Sequence, residues 1–344
     1  MTTKRVTTGG MPPVFFPREG SRLRLGLGGA PLGNLFSPMS DVDARAVVNA
    51  AWADGCRSFD TAPHYGHGLS ERRLGDALRS QPRDSFTLSS KVGRILTPDA
   101  HAVKAQHGYV DILPFNQHWD FSASGTRRSV EDSLQRLGLN RLDSVYIHDP
   151  DAQTHGAQAP AVLRQLLSET LPALQQMKRE GLVRAIGLGT NDARIVLDVL
   201  RESSLDVLML AGRYSLLDQS ALPELLPQCL ANGVRIALGG VFNSGILATG
   251  VGGGSATFNY APAPREWLER TALIESVCAA YGVALRAAAL QFPLAHPAIE
   301  IVMLGARSVS EWADAVAMLQ QPIPAEFWAA LRAQSLLPAE APTP

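Results

Sequence analysis

The stretch FDTAPHYGHGLSERRLG (59–75) places a carboxylate, Asp60, at the end of a short apolar run. Five residues later it releases a phenol, Tyr65, into a loop of Pro, His and Gly. Further on, SFTLSSK closes on Lys91 and LDSVYIHD carries His148 near its end. A Tyr near pKa 10 is a poor proton donor or acceptor at neutral pH. A buried Lys beside it favours the phenolate and lowers that pKa, while an Asp holds the Lys charged and in place. A neutral His can orient a substrate oxygen. The four residue types therefore make one proton-transfer set, provided that the fold brings them to one point.

The elements that must do so alternate along the chain. Apolar or β-branched runs occur at 22–29, 56–61, 85–91, 142–149, 183–189, 205–212, 234–240 and 299–306. Most are continuous rather than alternating, as parallel strands covered on both faces require. Helical patterns lie between them at 41–55, 70–80, 125–138, 159–181, 191–203, 221–233, 264–282, 285–296, 308–320 and 324–334. Eight strand–helix repeats predict a (β/α)8 TIM barrel of class α/β, with long βα loops after strands 3 (92–121) and 7 (241–263). The competing doubly wound sheet needs a fingerprint loop opening straight into a helix, and GLGGAPLGN (26–34) does not do that. The domain division expected is a partly ordered segment at 1–21, one barrel domain at 22–335 and a frayed Pro/Ala-rich tail at 336–344. The glycine run GVGGGSA (250–256) reads as a mobile flap, since ordering glycine costs entropy.

In such a barrel the C-terminal strand ends share one mouth, so Asp60, Lys91 and His148 converge from strands two, three and four, with Tyr65 just beyond strand two. NQHWD (116–120) offers a second His beside a Trp, but within the long third loop. His118 and Trp119, with His64, are expected to line a substrate pocket. The formal net charge is −1, with no block of like charges, so nucleic acid and membrane surfaces are not the expected partners and a small molecule is. No apolar run approaches the length of a membrane span, and the opening residues lack a signal-peptide core, so a cytoplasmic location is expected. Cys56, Cys229 and Cys278 are widely spaced and read as buried thiols. No His pair has metal-ligand spacing, so no catalytic metal is expected. No repeat or extension specifies an oligomeric state.

From about residue 22 to 320 the chain resembles the aldo-keto reductases. FDTAPHYGHGLSERRLG, RRSVEDSLQRLGLNRLDSVYIHDPD, GLVRAIGLGTN, AGRYSLLD and VMLGARSVSEW stand in that family's order. HDPD, RYSLLDQ and GGVFNSGILA further resemble the bacterial D-threo-aldose 1-dehydrogenases, which include L-fucose and L-galactose dehydrogenases; pyridoxal 4-dehydrogenase is similar to the same branch. The resemblance implies that Tyr65 is the general acid/base, supported by Lys91, Asp60 and His148, with Tyr65 and His148 also touching substrate. It implies an NAD or NADP cofactor stretched across the barrel mouth. Tyr214 would stack under the nicotinamide, with Gly29 and Asp60 also on the cofactor side. Gly239, Gly240, Phe242, Asn243 and Gly245 would pass the pyrophosphate. Gly305, Ala306, Arg307 and Ser308 would open the last helix beside the adenosine phosphate.

Two departures matter. Where many members carry Ser-Asn after strand five, this chain has Gly189, Thr190 and Asn191, so Thr190 or Asn191 must grip the carboxamide. Where NADP-dependent members add a basic or amide residue, this chain has Glu311, which would repel a 2′-phosphate and accept from ribose hydroxyls, pointing to NAD with NADP tolerated. The activity implied is NAD(P)-dependent oxidation of the anomeric carbon of an aldose of the L-fucose, L-galactose or D-threo type to its lactone. The alternatives are a pyridoxal 4-dehydrogenase, a broad aldehyde reductase, or a non-catalytic nucleotide-sensing subunit. The retained tetrad argues against the last.

Overall fold

A computed structural model describes residues 23–252 and 256–344. The expected ordered part of segment 1–21 and the centre of the 250–256 glycine run lie outside the described residues. Eight parallel strands close into a barrel: β1 (Leu25–Gly28), β2 (Ser58–Asp60), β3 (Thr87–Val92), β4 (Leu142–His148), β5 (Val183–Thr190), β6 (Val207–Ala211), β7 (Arg235–Gly239) and β8 (Ile299–Leu304). Each pairs with its neighbours in chain order and β8 returns to β1, so the (β/α)8 expectation holds.

Around it run α1 (Asp41–Ala53), α2 (Leu69–Leu78), α3 (Ala123–Leu137), α4 (Leu171–Arg179), α5 (Ala193–Glu202), α6 (Leu225–Asn232), α7 (Arg265–Tyr281), α8 (Leu285–Gln291), α9 (Val309–Gln320) and α10 (Ala325–Ala333). Local chemistry explains their limits. Ser40 caps α1 by accepting from the Asp43 N–H, and Ala44, Val47, Val48 and Ala51 form one buried stripe at helical spacing. The single helix expected over 159–181 is interrupted by a π-turn at Leu166–Thr170. Pro172 in the following turn has no N–H to continue the ladder, and Leu171 donates to the Leu166 carbonyl instead.

Inside the barrel, Tyr146, Ala185, Val207, Met209, Ala237, Ile301 and Met303 form a closed apolar cluster. A larger core lies between strands and helices, and Cys56, Cys229 and Cys278 are free thiols buried in it. With this apolar cluster packed inside the barrel, the buried polar groups at its mouth work in a low-dielectric setting.

Two segments differ from expectation. The loop after β3 contains an antiparallel hairpin, Arg94–Pro98 against Phe115–Trp119, so NQHWD is largely strand. Gly93 turns β3 into it at φ 103°, with the Phe121 ring so near that a Cβ would clash. The tail expected to fray is docked: Leu336, Leu337 and Ala341 are buried, and Arg270 and Arg332 donate to the Leu336 and Ala341 carbonyls. Its apolar residues, spaced among prolines, follow no helical or strand period, and only the groove that receives them gives them an inside. No single helix among the described residues is long and apolar enough to cross a membrane.

Candidate active site

The site begins with strand register. Asp60 pairs with Ser89 across β2 and β3, and period two puts Ser89 and Lys91 on the same face. Both reach the one carboxylate: Ser89 donates to Asp60 Oδ1 at 2.7 Å and Lys91 Nζ to Oδ2 at 2.6 Å. Lys91 also donates to the Thr61 carbonyl at 2.9 Å. The ion pair is almost wholly buried, with 3 % and 6 % of the side-chain surfaces exposed. The Lys91 amine lies 4.7 Å from the centre of the Tyr65 ring.

Tyr65 is placed by its loop. Gly33 in the β1–α1 connection and Gly66 in the β2–α2 connection touch backbone to backbone, and a Cβ on either would enter the other chain segment. Gly66 also takes a left-handed φ of 65°. That close approach presses the Tyr65 backbone against the barrel rim. His148, on β4, meets the Tyr65 ring edge-on with centroids 6.1 Å apart. The three neighbouring strands thus bring all four expected residues together.

These groups open into a cavity of ≈ 430 Å³ at the C-terminal mouth, where His64, Tyr65, Lys91, His148, Asp149 and Asn191 are among the lining residues. Phe36, Tyr109 and Tyr260 give it aromatic walls. His64 sits between Tyr65, His107 and His148, and its Nδ1 bonds Gln117 Oε1 at 2.9 Å. Burial pulls the His64 imidazole down to about 3, with Arg94 adding to the effect, and holds His148 well below the usual histidine range with help from Arg94 and Lys91. Both are neutral at neutral pH.

The phenol behaves differently from expectation. Burial, then the Asp60 carboxylate, push Tyr65 well above the usual tyrosine value, against an opposing pull from Arg94. Asp60 is the near anion as well as the lysine's partner, so the pair presents the phenol with a dipole and not a bare cation.

Several expected site residues stand elsewhere. Tyr214 is fully buried against Phe292 and His296, so its ring offers no face to the mouth. The strand before it stops at Ala211 and the chain folds inward. His118 and Trp119 do not line the cavity. In the hairpin Gln117 is half-buried while His118 and Trp119 are both exposed, and the Trp119 ring lies over the Arg94 guanidinium at 3.9 Å. Gly29 is buried, donating to the Asp60 carbonyl and accepting from Ser70. Thr190 spends its hydroxyl on Asp151 at 2.8 Å and on the Asp192 N–H at 3.0 Å. Asn191 has its side-chain amide without a hydrogen bond among the described residues, while its carbonyl accepts from Arg213.

The remaining expected residues form the rim. Gly239 ends β7, and Gly240, Asn243 and Gly245 all take positive φ in a tight turn that also carries Phe242. Ser215 donates to Asn243 Oδ1, and Asn243 donates to the Gly212 carbonyl at 3.2 Å. Gly305, Ala306 and Arg307 lead into α9, capped by Ser308, and Glu311 accepts from the Arg307 N–H at 2.8 Å. Residue spacing did not single out Arg94 and Asp149, which pair at 3.1 Å beside His148. Asp149 directly follows His148 and Arg94 stands three residues after Lys91, and those positions were the available signal.

A closed eight-stranded barrel with this tetrad at its C-terminal mouth defines a class, and the family model for the aldo/keto reductases matches residues 24–335. The chain belongs to that family. It is similar to pyridoxal 4-dehydrogenase of Microbacterium luteolum, 41 % identical over 91 % of this chain and 94 % of that one. It is also similar to D-threo-aldose 1-dehydrogenase of a Pseudomonas species, 39 % identical over 91 % and 94 %, and to L-galactose dehydrogenase of Arabidopsis thaliana, 32 % identical over 86 % and 84 %. A solved aldo-keto reductase from Bacillus halodurans, in holo form, shares the fold with a TM-score of 0.69 at 23 % identity, covering 92 % of this chain and 93 % of that one. The protein is therefore an oxidoreductase of the aldo/keto reductase family.

Proposed function

We propose that this enzyme oxidises the hemiacetal carbon of a small cyclic hemiacetal to a lactone, using NAD in preference to NADP. The observation that carries the reading is the buried Lys91–Asp60 pair under the Tyr65 ring, with His148 at its edge, inside one cavity. The relatives' names narrow the substrate. Aldoses, galactose and fucose among them, close through a chain hydroxyl, and pyridoxal closes through the hydroxymethyl group beside its aldehyde. All present the same reacting unit, a ring carbon bearing a hydroxyl and a hydrogen. Aromatic walls at Phe36, Tyr109 and Tyr260 suit a flat ring of that size.

The residues fit a nicotinamide dinucleotide. Asn191 offers at the cavity wall an amide with no hydrogen bond among the described residues, the turn from Gly240 to Gly245 follows the C-terminal end of β7, and Arg307 stands exposed before the capped N-terminus of α9. Asn191 would hold the carboxamide, the turn the pyrophosphate, and Arg307 with Ser308 the adenosine phosphate. Glu311, held against the Arg307 N–H, puts a carboxylate where a 2′-phosphate would need cations, which favours NAD. When bound, the oxidised nicotinamide supplies a hydride acceptor at its C4.

The chain's own residues handle the proton. His148, neutral, fixes the substrate oxygen by a hydrogen bond. Tyr65 takes the hydroxyl proton as the carbon loses hydride, and Lys91 balances the phenol's changing charge while Asp60 keeps the ammonium in place. Because the phenol is raised, oxidation speeds with pH, roughly tenfold per unit where phenolate is the minor form. Reduction of the carbonyl uses the protonated phenol and gains nothing from high pH.

The test is NADH formation from L-fucose, L-galactose and pyridoxal, with lactone identified as product, beside a Tyr65→Phe variant. The variant should lose at least ~100-fold in kcat while NAD affinity stays within about twofold. A fully active Tyr65→Phe, or an enzyme that acts on none of these hemiacetals, refutes the reading.

A further inference from the structure

Asp149 follows His148 directly and sits at a left-handed φ of 45°, a conformation that costs a non-glycine residue energy. Three contacts hold it there. Its N–H donates to the Gly189 carbonyl at 2.9 Å, Arg94 reaches Oδ2 at 3.1 Å, and His148 Nε2 lies 3.5 Å from the same oxygen. Arg94 is itself fixed: it stacks on Trp119, its cross-strand partner in the hairpin. Among the described residues, both of these side-chain contacts to the carboxylate fall on Oδ2. Oδ1 has no hydrogen bond among the described residues, 28 % of the side chain is exposed, and Asp149 lines the cavity.

A carboxylate placed in an aromatic-walled cavity is costly, and pairing it with one guanidinium seldom improves on apolar packing. Its neighbour is the imidazole that faces the reacting centre. A substrate oxygen bonded to His148 puts the oxygen on the next carbon within reach of Asp149. Carboxylates accept hydroxyl hydrogen bonds more strongly than neutral groups do.

We infer that Asp149 is a specificity residue whose free Oδ1 accepts a hydrogen bond from the hydroxyl on the carbon next to the reacting carbon, and that Arg94 is the positioning residue that aims it. The inference rests on the assignment of Tyr65 and His148 as the reacting centre. It deepens the proposed function by dividing its substrates: aldoses carry that hydroxyl at C2, whereas in pyridoxal the carbon next to the reacting one bears no hydroxyl and the phenolic group stands one carbon further on. Burial raises the Asp149 carboxyl above its ordinary value, and Arg94 opposes the rise.

The experiment measures a ratio, so a general loss of activity does not enter it. Reduction of glyceraldehyde and of 3-hydroxypropanal, which lacks the 2-hydroxyl, gives two kcat/KM values. In the wild type the first should exceed the second, and Asp149→Asn should shrink the ratio by ~10- to 100-fold, mainly through KM. Arg94→Lys should keep more of the ratio than Arg94→Met, and these two serve if Asp149→Asn does not fold. The competitive binding of a 1,5-anhydroalditol and its 2-deoxy counterpart, measured by calorimetry, gives the same ratio without turnover. A wild type indifferent to the hydroxyl, or an Asp149→Asn that slows both substrates alike, overturns the inference. Absence of lactone formation with an intact aldehyde ratio would instead sink only the proposed oxidation.

Discussion

Replacing Lys91 by Met tests whether the buried pair is both a structural and a chemical element. At 2.6 Å, and at an effective dielectric of about 20, the Coulomb attraction between Lys91 and Asp60 is roughly 6 kcal/mol, from which the desolvation of both ions subtracts several. Removing one partner leaves the other charged and buried, so Lys91→Met should destabilise by ~3–5 kcal/mol. Among the described residues Asp60 would retain only the Ser89 hydroxyl, and the Thr61 carbonyl would lose the Lys91 amine. Asp60→Asn should cost a similar amount by stranding the ammonium. The double variant removes both charges and should be destabilised by only ~1–2 kcal/mol, a coupling of several kcal/mol between the sites. Urea unfolding with an unchanged m-value measures all three, and NADH formation is followed in parallel. The double variant should fold and bind NAD yet turn over no substrate, because the cation beside Tyr65 is gone. If the two single costs add within about 0.5 kcal/mol, the pair is not coupled and the reasoning from burial is wrong.

Acid sensitivity follows from His64. Its folded pKa of about 3 lies below the ~6.5 of an unfolded histidine, so the unfolded chain binds the extra proton between those values. Stability is complete above about pH 6.5 and falls as pH drops through that window; His64→Gln should flatten the fall by up to ~1.4 kcal/mol per pH unit, read from urea midpoints at a series of pH values. Glu71 is fully buried and bonds Arg136 at 2.6 Å and Ser90 at 2.7 Å, tying α2 to α3 and β3. Glu71→Ala should cost ~3–5 kcal/mol in chemical unfolding while the folded fraction keeps its kcat. Glu311→Gln should tighten NADP binding by roughly three- to tenfold and leave NAD binding within about twofold, measured by nucleotide fluorescence titration. An unchanged NADP affinity would remove Glu311 from cofactor choice.

The tetrad was legible for a physical reason. In a parallel barrel whose strand order follows chain order, consecutive strand ends are neighbours in space, so locating β2, β3 and β4 locates Asp60, Lys91 and His148 together. Helix starts were legible in part: the reading at 308 begins on the Ser308 cap, whereas the reading at 125 starts beyond Ser122, which caps α3 by accepting from the Gly125 N–H. Residues whose surroundings come from distant segments were not. Tyr214 is buried by Phe292 and His296, nearly eighty residues on, and the closing tail is held by Arg270. The Tyr65 phenol carries the same lesson: spacing set Lys91 against it, but burial and Asp60 decide the direction of its shift.

Chain order and side-chain type alone therefore determined the barrel, its capped helices and the four groups at its mouth, since each depends on local periodicity and on one topological rule. Tertiary structure alone decided that Arg94 stacks on Trp119 and pairs with Asp149, that the Thr190 hydroxyl is occupied while the Asn191 side chain has no hydrogen bond among the described residues, and that His118 is exposed outside the cavity. Those outcomes depend on hydrogen bonds and ring contacts between segments far apart in the chain, and such pairings leave no period for a sequence to display.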